Sequence, residues 1–219
     1  MATVFESLHP DLRAAVDGRG WSPTPVQDLA LPALANGDEG VVVAPTGSGK
    51  TMAAVLPLLH RCLEEDWAPL AILYITPLRA LNRDVDRRLI DLAESVGLRV
   101  GLRHGDTSQS ERQRQVKRPP HLLVTTPETF QLMFTGHRLR ALLRTVQAVV
   151  VDEVHDLAAS ERGWQLSVGL SRLDHLCGRR VQRIGLSATV GNPSDVAEWL
   201  APGRGKAMVA VAPRETELT

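Results

Sequence analysis

Residues 41–51 read VVVAPTGSGKT, three β-branched residues followed by a turn with two glycines and the start of a helical pattern. The apolar run predicts a buried strand, and the segment from Lys50 to about Glu65 predicts a helix. Gly47 and Gly49 permit backbone angles that turn amide N–H groups towards one point, where they form a nest for an anion. A strand, a glycine-rich turn and a helix in this order predict a phosphate site.

The same alternation of a short apolar run and a helix-length segment continues along the chain. Further strands are predicted at 71–75, 98–102, 122–124, 146–151, 182–186 and 209–211. Further helices are predicted at about 79–96, 127–134, 163–176 and 194–200. Apolar strands separated by helices are typical of an α/β fold with a central, largely parallel β-sheet of about six or seven strands flanked by helices. We expect a single domain over residues 1–219, with a lead-in at about 1–20 and a polar tail at 213–219.

Composition excludes several classes of protein. The chain has 219 residues, of which 43% are hydrophobic and 23% charged, so it is not globally disordered. Lys and Arg number 25, as do Asp and Glu, so net charge gives no overall attraction to nucleic acid. Cys62 and Cys177 form neither a disulfide framework nor a metal spacing, which indicates a reducing compartment. No apolar run has signal or membrane-span length, so we expect a cytoplasmic protein with no membrane association.

Residues 44–51, APTGSGKT, fit the P-loop pattern, with Ala44 at the place of the usual first glycine. Lys50 is predicted to reach the β- and γ-phosphates of a nucleoside triphosphate, and the Thr51 hydroxyl to ligate Mg²⁺. The predicted nucleotide-binding residues of this turn are Thr46, Gly47, Ser48, Gly49, Lys50 and Thr51. The alternative is a glycine-rich turn without a ligand. The agreement of strand, turn and helix favours the phosphate site.

Two carboxylates follow another apolar run at residues 146–151. Because ligands bind at the carboxyl edge of a parallel sheet, Asp152 is predicted to hold Mg²⁺, directly or through water. Glu153 is predicted to orient and deprotonate the attacking water. The alternative for a lone Asp-Glu pair after a strand is an ordinary helix cap. A P-loop on the same sheet favours catalysis, with Lys50, Asp152 and Glu153 as the catalytic residues.

Threonine and proline follow two of the predicted strands, at Thr76-Pro77 and at Thr125-Thr126-Pro127. The threonine hydroxyls and nearby backbone N–H groups can bond phosphates of a nucleic acid without reading its sequence. The alternative is a helix start with threonine as the N-cap and proline in the first turn, and both can hold at once. Arg79 and Arg83 are placed to add positive charge near the first pair.

Taken in order, these motifs resemble those of superfamily-two helicases from about Trp21 to Leu200. Residues 152–155, DEVH, resemble the DExH box, and residues 187–189, SAT, resemble the motif that couples hydrolysis to movement. Residues 76–81 and 125–128 resemble the motifs that hold the nucleic-acid backbone, and residues 104–107 lie between them. Gln27 is placed like the glutamine that reads adenine.

Three longer segments, 78–84, 105–112 and 185–192, resemble the Lhr (large helicase-related) family. This resemblance implies a RecA-like P-loop NTPase fold, ATP and Mg²⁺ as cofactors, three-prime to five-prime translocation on single-stranded DNA, and a role in repair. It implies coupling roles for His155, Ser187, Ala188 and Thr189. It implies nucleic-acid contacts from Thr76, Pro77, Arg79, Arg83, Gly105, Asp106, Thr125, Thr126, Pro127 and Glu128. For His155, a partly buried histidine with satisfied hydrogen bonds is the alternative.

The resemblance extends only to the first motor domain of such a helicase. No run of the form Gln-x-x-Gly-Arg-x-Gly-Arg is present, so we expect a second RecA-like domain, with its arginine fingers, as a partner. Alone, the chain is expected to hydrolyse ATP weakly or not at all. The alternative function is a non-hydrolysing or regulatory RecA-like module that binds nucleic acid or a partner. A small-molecule kinase is a third possibility, which the ordered helicase motifs disfavour.

Overall fold

The computed structural model describes residues 3–77, 87–188 and 191–209. These residues form a seven-stranded sheet with the order β3-β4-β2-β5-β6-β1-β7, and every pair of neighbouring strands is parallel. The strands are β1 (Gly40–Val43), β2 (Ile72–Ile75), β3 (Val100–Arg103), β4 (Leu122–Thr125), β5 (Ala148–Val151), β6 (Gln182–Ser187) and β7 (Lys206–Val209). The predicted α/β class with a parallel central sheet is confirmed.

The described helices are α1 (Pro10–Asp17), α2 (Pro25–Ala35), α3 (Lys50–Glu64), α4 (Arg87–Ser95), α5 (Gln109–Lys117), α6 (Pro127–Met133), α7 (His137–Leu142), α8 (Val154–Ala158), α9 (Glu161–Cys177) and α10 (Pro193–Leu200). Two 3-10 turns lie at Val4–Ser7 and Leu143–Thr145. No helix within the described ranges has the length and apolar character to cross a membrane.

The sheet separates two hydrophobic cores. Side chains alternate along each strand, so Ile72 and Tyr74 of β2 enter the core under α1–α4, whereas Leu73 and Ile75 enter the core under α6, α9 and α10. All four residues of β1, β2, β4 and β5 are buried, as expected for strands that are covered by helices on both faces.

The strand boundaries differ from prediction mainly at the sheet edges. Strand β3 begins at Val100 rather than at residue 98, and its first three residues are only partly buried or exposed. The final strand was predicted at 209–211, but β7 pairs with β1 from Lys206 to Val209. Residues 210 and 211 lie outside the described part of the chain. Edge strands bury less surface, so their apolar pattern is weaker and their limits are harder to locate.

The lead-in to the domain is part of its core. The first 3-10 turn and α1 bury the side chains of Phe5, Leu8, Leu12 and Val16. Their spacing of three or four residues is the helical period, so the sequence contained a signal for this element. The polar tail predicted at 213–219 lies outside the described residues.

Candidate active site

The carboxyl edge of the sheet brings the predicted catalytic segments together. The glycine-rich turn follows β1, and Asp152 and Glu153 follow β5. Strand β6 lies between these two strands and ends at Ser187. The backbone N–H of Ala44 donates to the carbonyl of Ser187 over 3.1 Å. The end of β6 is therefore in contact with the turn that precedes α3.

The glycine-rich turn has the backbone geometry of a phosphate nest. Gly47 and Gly49 have φ values of 80° and 92°, in the left-handed region that glycine adopts without strain. Lys50 begins α3, and its Nζ donates to the carbonyl oxygens of Ala44 and Pro45 over 2.7 and 3.1 Å. Burial lowers the pKa of this amine, although the charges of Glu153 and Asp152 act in the opposite direction. The ammonium group therefore lies against the first residues of the turn that is predicted to bind phosphate.

The side chain of Gln27, on α2, is hydrogen-bonded to the glycine-rich turn. Its side chain is 5% exposed. The Oε1 atom accepts from the Thr24 backbone N–H over 3.1 Å, and Nε2 donates to the Gly49 carbonyl over 3.3 Å. In this structure the amide is engaged by the protein at both ends. The residue predicted to read adenine thus also fixes the position of the last glycine in the turn.

Replacing Gly49 by alanine is expected to destabilise the domain more than replacing Gly47. Both sites have positive φ, which costs a residue with a Cβ about 1–2 kcal/mol. At Gly49 the added Cβ would also lie 2.7 Å from Gln27 Nε2, so the amide must move and lose its bond to the turn. At Gly47 the Cβ meets no atom within 4 Å. Urea unfolding of the two variants should differ by about 1 kcal/mol; equal values would contradict the bracing role of Gln27.

The predicted metal-binding carboxylate is held in a fixed orientation. Asp152 Oδ1 accepts from the Glu153 backbone N–H over 2.9 Å, and Oδ2 accepts from the Tyr74 hydroxyl over 2.8 Å. The Asp152 N–H donates to the Ile75 carbonyl, which continues the pairing of β5 with β2. Burial raises the pKa of the Asp152 carboxyl, and the hydrogen bonds from Tyr74 and Glu153 partly oppose that shift. Tyr74 was not identified from the sequence.

Glu153 has a strained backbone. Its φ and ψ are 47° and 43°, the left-handed conformation that non-glycine residues rarely adopt, and it precedes α8 directly. Such strain persists where the surrounding structure imposes it, and it is concentrated at functional sites. Burial and the nearby charge of Asp152 raise the pKa of the Glu153 carboxyl. A raised pKa brings a carboxylate closer to the range in which it acts efficiently as a general base.

His155 lies between the carboxylates and the end of β6. Its Nδ1 lies 2.9 Å from Ser187 Oγ and 3.6 Å from Glu153 Oε2. Its Nε2 lies 3.4 Å from Asp156 Oδ1. Ala188, which follows Ser187, is partly buried, and Thr189 lies outside the described residues. The imidazole therefore contacts both the predicted base and the residue at the end of β6.

The predicted nucleic-acid segments occupy the other half of the same sheet edge. Residues 76–77 follow β2, residues 105–106 follow β3, and residues 126–128 follow β4. These three strands are neighbours, in the order β3-β4-β2, whereas the triphosphate segments follow β5, β6 and β1. Arg79 and Arg83 lie outside the described residues.

The threonine side chains of these segments lie inside the protein. Thr126 Oγ1 accepts from the Thr129 N–H, so it caps α6, and Thr125 Oγ1 donates to the Arg103 carbonyl over 2.8 Å. Thr76 and Thr125 have no exposed surface. The helix-capping interpretation therefore holds for Thr126, and phosphate contacts from the three hydroxyls stay a prediction.

Two neighbouring segments are held by arginine side chains. The Arg112 guanidinium donates to the carbonyls of His104, Gly105 and Thr107, and so fixes the loop that carries Asp106. Glu128, after Pro127, accepts from Arg162 of α9 over 2.7 Å. Asp106 itself is largely exposed.

The donor set fits a triphosphate with Mg²⁺. The Ser48 hydroxyl in the glycine-rich turn is buried and has no hydrogen-bond partner. The space beside Gly47 is open. Thr51 and Asp152 supply hydroxyl and carboxylate oxygens, the ligands that Mg²⁺ prefers, and few protein ligands are needed where phosphates complete the shell.

Comparison with known proteins decides the family. Residues 24–196 match the family described as DEAD/DEAH box helicase. The chain belongs to the DEAD/DEAH box helicase family. This assignment confirms the superfamily predicted from the DEVH and P-loop segments.

Several relatives of this DEAD/DEAH box chain are Lhr helicases, which confirms the predicted likeness. The chain is 42% identical to the Lhr helicase/uracil glycosylase of Escherichia coli K12 over 90% of its own length and 14% of that protein. It is 37% identical to the Lhr-Core protein 2 helicase of Thermococcus barophilus over 90% of its length and 25% of that protein. The structure of Mycobacterium smegmatis Lhr with single-stranded DNA and AMP-PNP superposes with a TM-score of 0.84 and 37% identity over 97% of this chain and 29% of that one. The RecA-like fold is confirmed, and the chain spans a quarter or less of these curated relatives.

Proposed function

We propose that this chain is the first, ATP-binding motor domain of an ATP-dependent helicase or translocase that acts on single-stranded nucleic acid. The observation that carries the proposal is the contact of His155 with both Glu153 and Ser187, beside a P-loop on the same sheet edge. An Asp-Glu pair that only capped a helix would not need this contact with the end of β6. Together with the family assignment, it supports hydrolysis coupled to movement of the domain.

The P-loop is proposed to bind ATP. Backbone N–H groups of the turn and the Lys50 ammonium neutralise the phosphates, and Lys50 must exchange its carbonyl partners for phosphate oxygens. Mg²⁺ would be held by the Thr51 hydroxyl and the Asp152 carboxylate, where it would neutralise charge on the phosphates. Glu153 orients the attacking water and accepts its proton. Supporting these roles are the fixed carboxylate of Asp152 and the raised pKa of Glu153.

Strand β6 is proposed to transmit the nucleotide state. Ser187 contacts the predicted base through His155, and its carbonyl accepts from Ala44 at the start of the P-loop. A change at the γ-phosphate that moves Glu153 or the P-loop therefore acts on Ser187. Ala188 and Thr189 continue the chain from this point and are proposed to carry the change onward.

Single-stranded DNA is the proposed polymer, and the segments after β3, β4 and β2 are its proposed contact surface. The support is their common location on one half of the edge and the single-stranded DNA bound by the M. smegmatis Lhr structure. Backbone contacts fix the position of a strand without reading its sequence. By likeness to Lhr helicases, we propose three-prime to five-prime movement and a function in DNA repair.

A second RecA-like domain is the proposed partner for full activity. An arginine supplied across a domain interface raises phosphoryl-transfer rates by about 10³–10⁵-fold in related systems. We propose residues 1–219 as one folded unit that binds ATP by itself and completes its catalytic site against that partner.

ATP turnover measured with and without single-stranded DNA tests the proposal. The chain alone should bind ATP and turn it over slowly, and addition of a second RecA-like domain, fused or in trans, should give DNA-stimulated turnover. The expected gain is about 10³-fold or more because the second domain supplies the missing charge. ATP binding without turnover in either form would instead support a regulatory binding module.

A further inference from the structure

Tyr74 lies beside the carboxylate that is predicted to bind Mg²⁺. It is on β2, next to β5 in the sheet, and its side chain is only 2% exposed. The hydroxyl donates to Asp152 Oδ2 over 2.8 Å. The phenol therefore joins β2 to the carboxylate that follows β5.

This position needs an aromatic ring for packing but does not need a hydroxyl. Tyr74 belongs to the hydrophobic core beneath α3, among aliphatic side chains such as Ile72, Val124 and Val150. Phenylalanine would fill the same space without burying a polar group, and burying an unpaired hydroxyl costs free energy. The hydroxyl is stabilised here because it donates to a carboxylate, which makes a stronger hydrogen bond than a neutral acceptor.

The consequence for Asp152 is a fixed carboxylate plane. Oδ1 is held by the Glu153 N–H and Oδ2 by the Tyr74 hydroxyl, so rotation of the carboxylate would break at least one bond. The remaining lone pairs of the two Asp152 oxygens therefore keep a constant direction.

We propose that Tyr74 is a positioning residue that holds the Asp152 carboxylate in the orientation that receives Mg²⁺. The inference rests on the proposed ATP- and Mg²⁺-binding function and deepens it. Tyr74 acts on the metal only through Asp152. Pre-positioned ligands reduce the ordering cost that metal binding would otherwise incur.

The test is the Mg²⁺ dependence of nucleotide binding by Tyr74→Phe, measured with a fluorescent, non-hydrolysable ATP analogue. In EDTA the variant should bind the analogue within about twofold of the parent protein, because the P-loop is unchanged. The Mg²⁺ concentration for half-maximal enhancement of binding should rise about tenfold, the effect of losing one hydrogen bond to a charged group. An unchanged Mg²⁺ dependence, with or without a lower melting temperature, would overturn the proposal.

Thr145→Val is the matched control. It also loses a hydroxyl donor, which bonds the Pro69 carbonyl over 2.7 Å, but at the opposite end of β5 from Asp152. Its Mg²⁺ dependence should equal that of the parent protein even if its melting temperature falls. If the parent protein itself shows no Mg²⁺-dependent nucleotide binding, the proposed function fails, which is distinguishable from failure at Tyr74 alone.

A spectroscopic measurement covers the case in which Tyr74→Phe does not fold. The sequence contains a single tyrosine, so incorporation of 3-fluorotyrosine gives one ¹⁹F resonance, at position 74. Addition of Mg²⁺ to the analogue-bound protein should shift this resonance, because the carboxylate to which the phenol donates gains a bound cation. Addition of the analogue in EDTA should shift it much less. A resonance insensitive to Mg²⁺ would overturn the inference.

Discussion

Glu153→Gln is expected to lower ATP turnover of the two-domain protein by about 10²–10⁴-fold, the usual contribution of a general base. The amide has nearly the same shape as the carboxylate but cannot accept the proton of the attacking water. In the described part of the chain Glu153 makes no hydrogen bond or ion pair with the P-loop and acts on Lys50 only through its charge, so ATP affinity should change by less than about threefold. Steady-state hydrolysis and equilibrium binding of ATP·Mg²⁺ measure the two effects separately.

The control for this variant is Glu161→Gln, which removes an exposed carboxylate at the start of α9. Its turnover should equal that of the parent protein. Turnover that persists in Glu153→Gln would show that another group accepts the proton. A large loss of ATP affinity would show that Glu153 acts in binding, contrary to its proposed role.

Lys50→Ala is expected to weaken binding of nucleoside triphosphate at least about 100-fold, because a half-buried ammonium that is placed to pair with phosphate is lost. The parent ammonium bonds two carbonyls of the turn, which shows that the side chain already lies over the P-loop. Its removal leaves those carbonyls near solvent, so folding should be little affected. Isothermal titration with the ATP analogue and Mg²⁺ measures the affinity.

Lys117→Ala provides the comparison for Lys50. This lysine lies in the last turn of α5 and is exposed, so the variant loses the same charge far from the P-loop. Its nucleotide affinity should match that of the parent protein. Unchanged affinity in Lys50→Ala would contradict the P-loop assignment.

Most of the fold was predictable because the strands are buried on both faces. All residues of β1, β2, β4 and β5 are buried, and a helix follows each of these strands along the chain. The helical lead-in was missed although its apolar residues have the helical spacing, because the segment is short and rich in polar residues. The start of edge strand β7 was predicted too late in the sequence. The strand begins with Lys206, which pairs with Asp38 at the surface, so no apolar residue marks its start.

Site residues that directly follow strands could be predicted from their positions in the sequence. A site residue that acts through a contact between neighbouring strands could not. Gly47, Lys50, Asp152 and Glu153 are adjacent to strand ends, so their location followed from the sequence. Tyr74 precedes the end of β2 and appears apolar by pattern, and only the adjacency of β2 to β5 brings its hydroxyl to Asp152.

The orientation of the threonine hydroxyls could not be predicted for a related reason. Sequence shows that a threonine follows a strand, but not whether its side chain points outward or into the protein. Thr125 points inward to the Arg103 carbonyl of the neighbouring strand, and Thr126 is used by its own helix. The left-handed backbone of Glu153 also has no sequence signal, because glutamate seldom adopts it.

The position of β6 between β1 and β5 sets the order in which the strands can join the sheet. The chain order is β1, β5, β6, but β1 reaches the sheet only by pairing with β6, since its other neighbour, β7, comes last of all. During synthesis, β1 therefore cannot pair within the sheet until residues 182–187 have left the ribosome. Pairing of segments so distant in sequence slows folding. ATP can assist only the stages of folding that follow, because the two halves of its site come together only when β6 has paired with both β1 and β5.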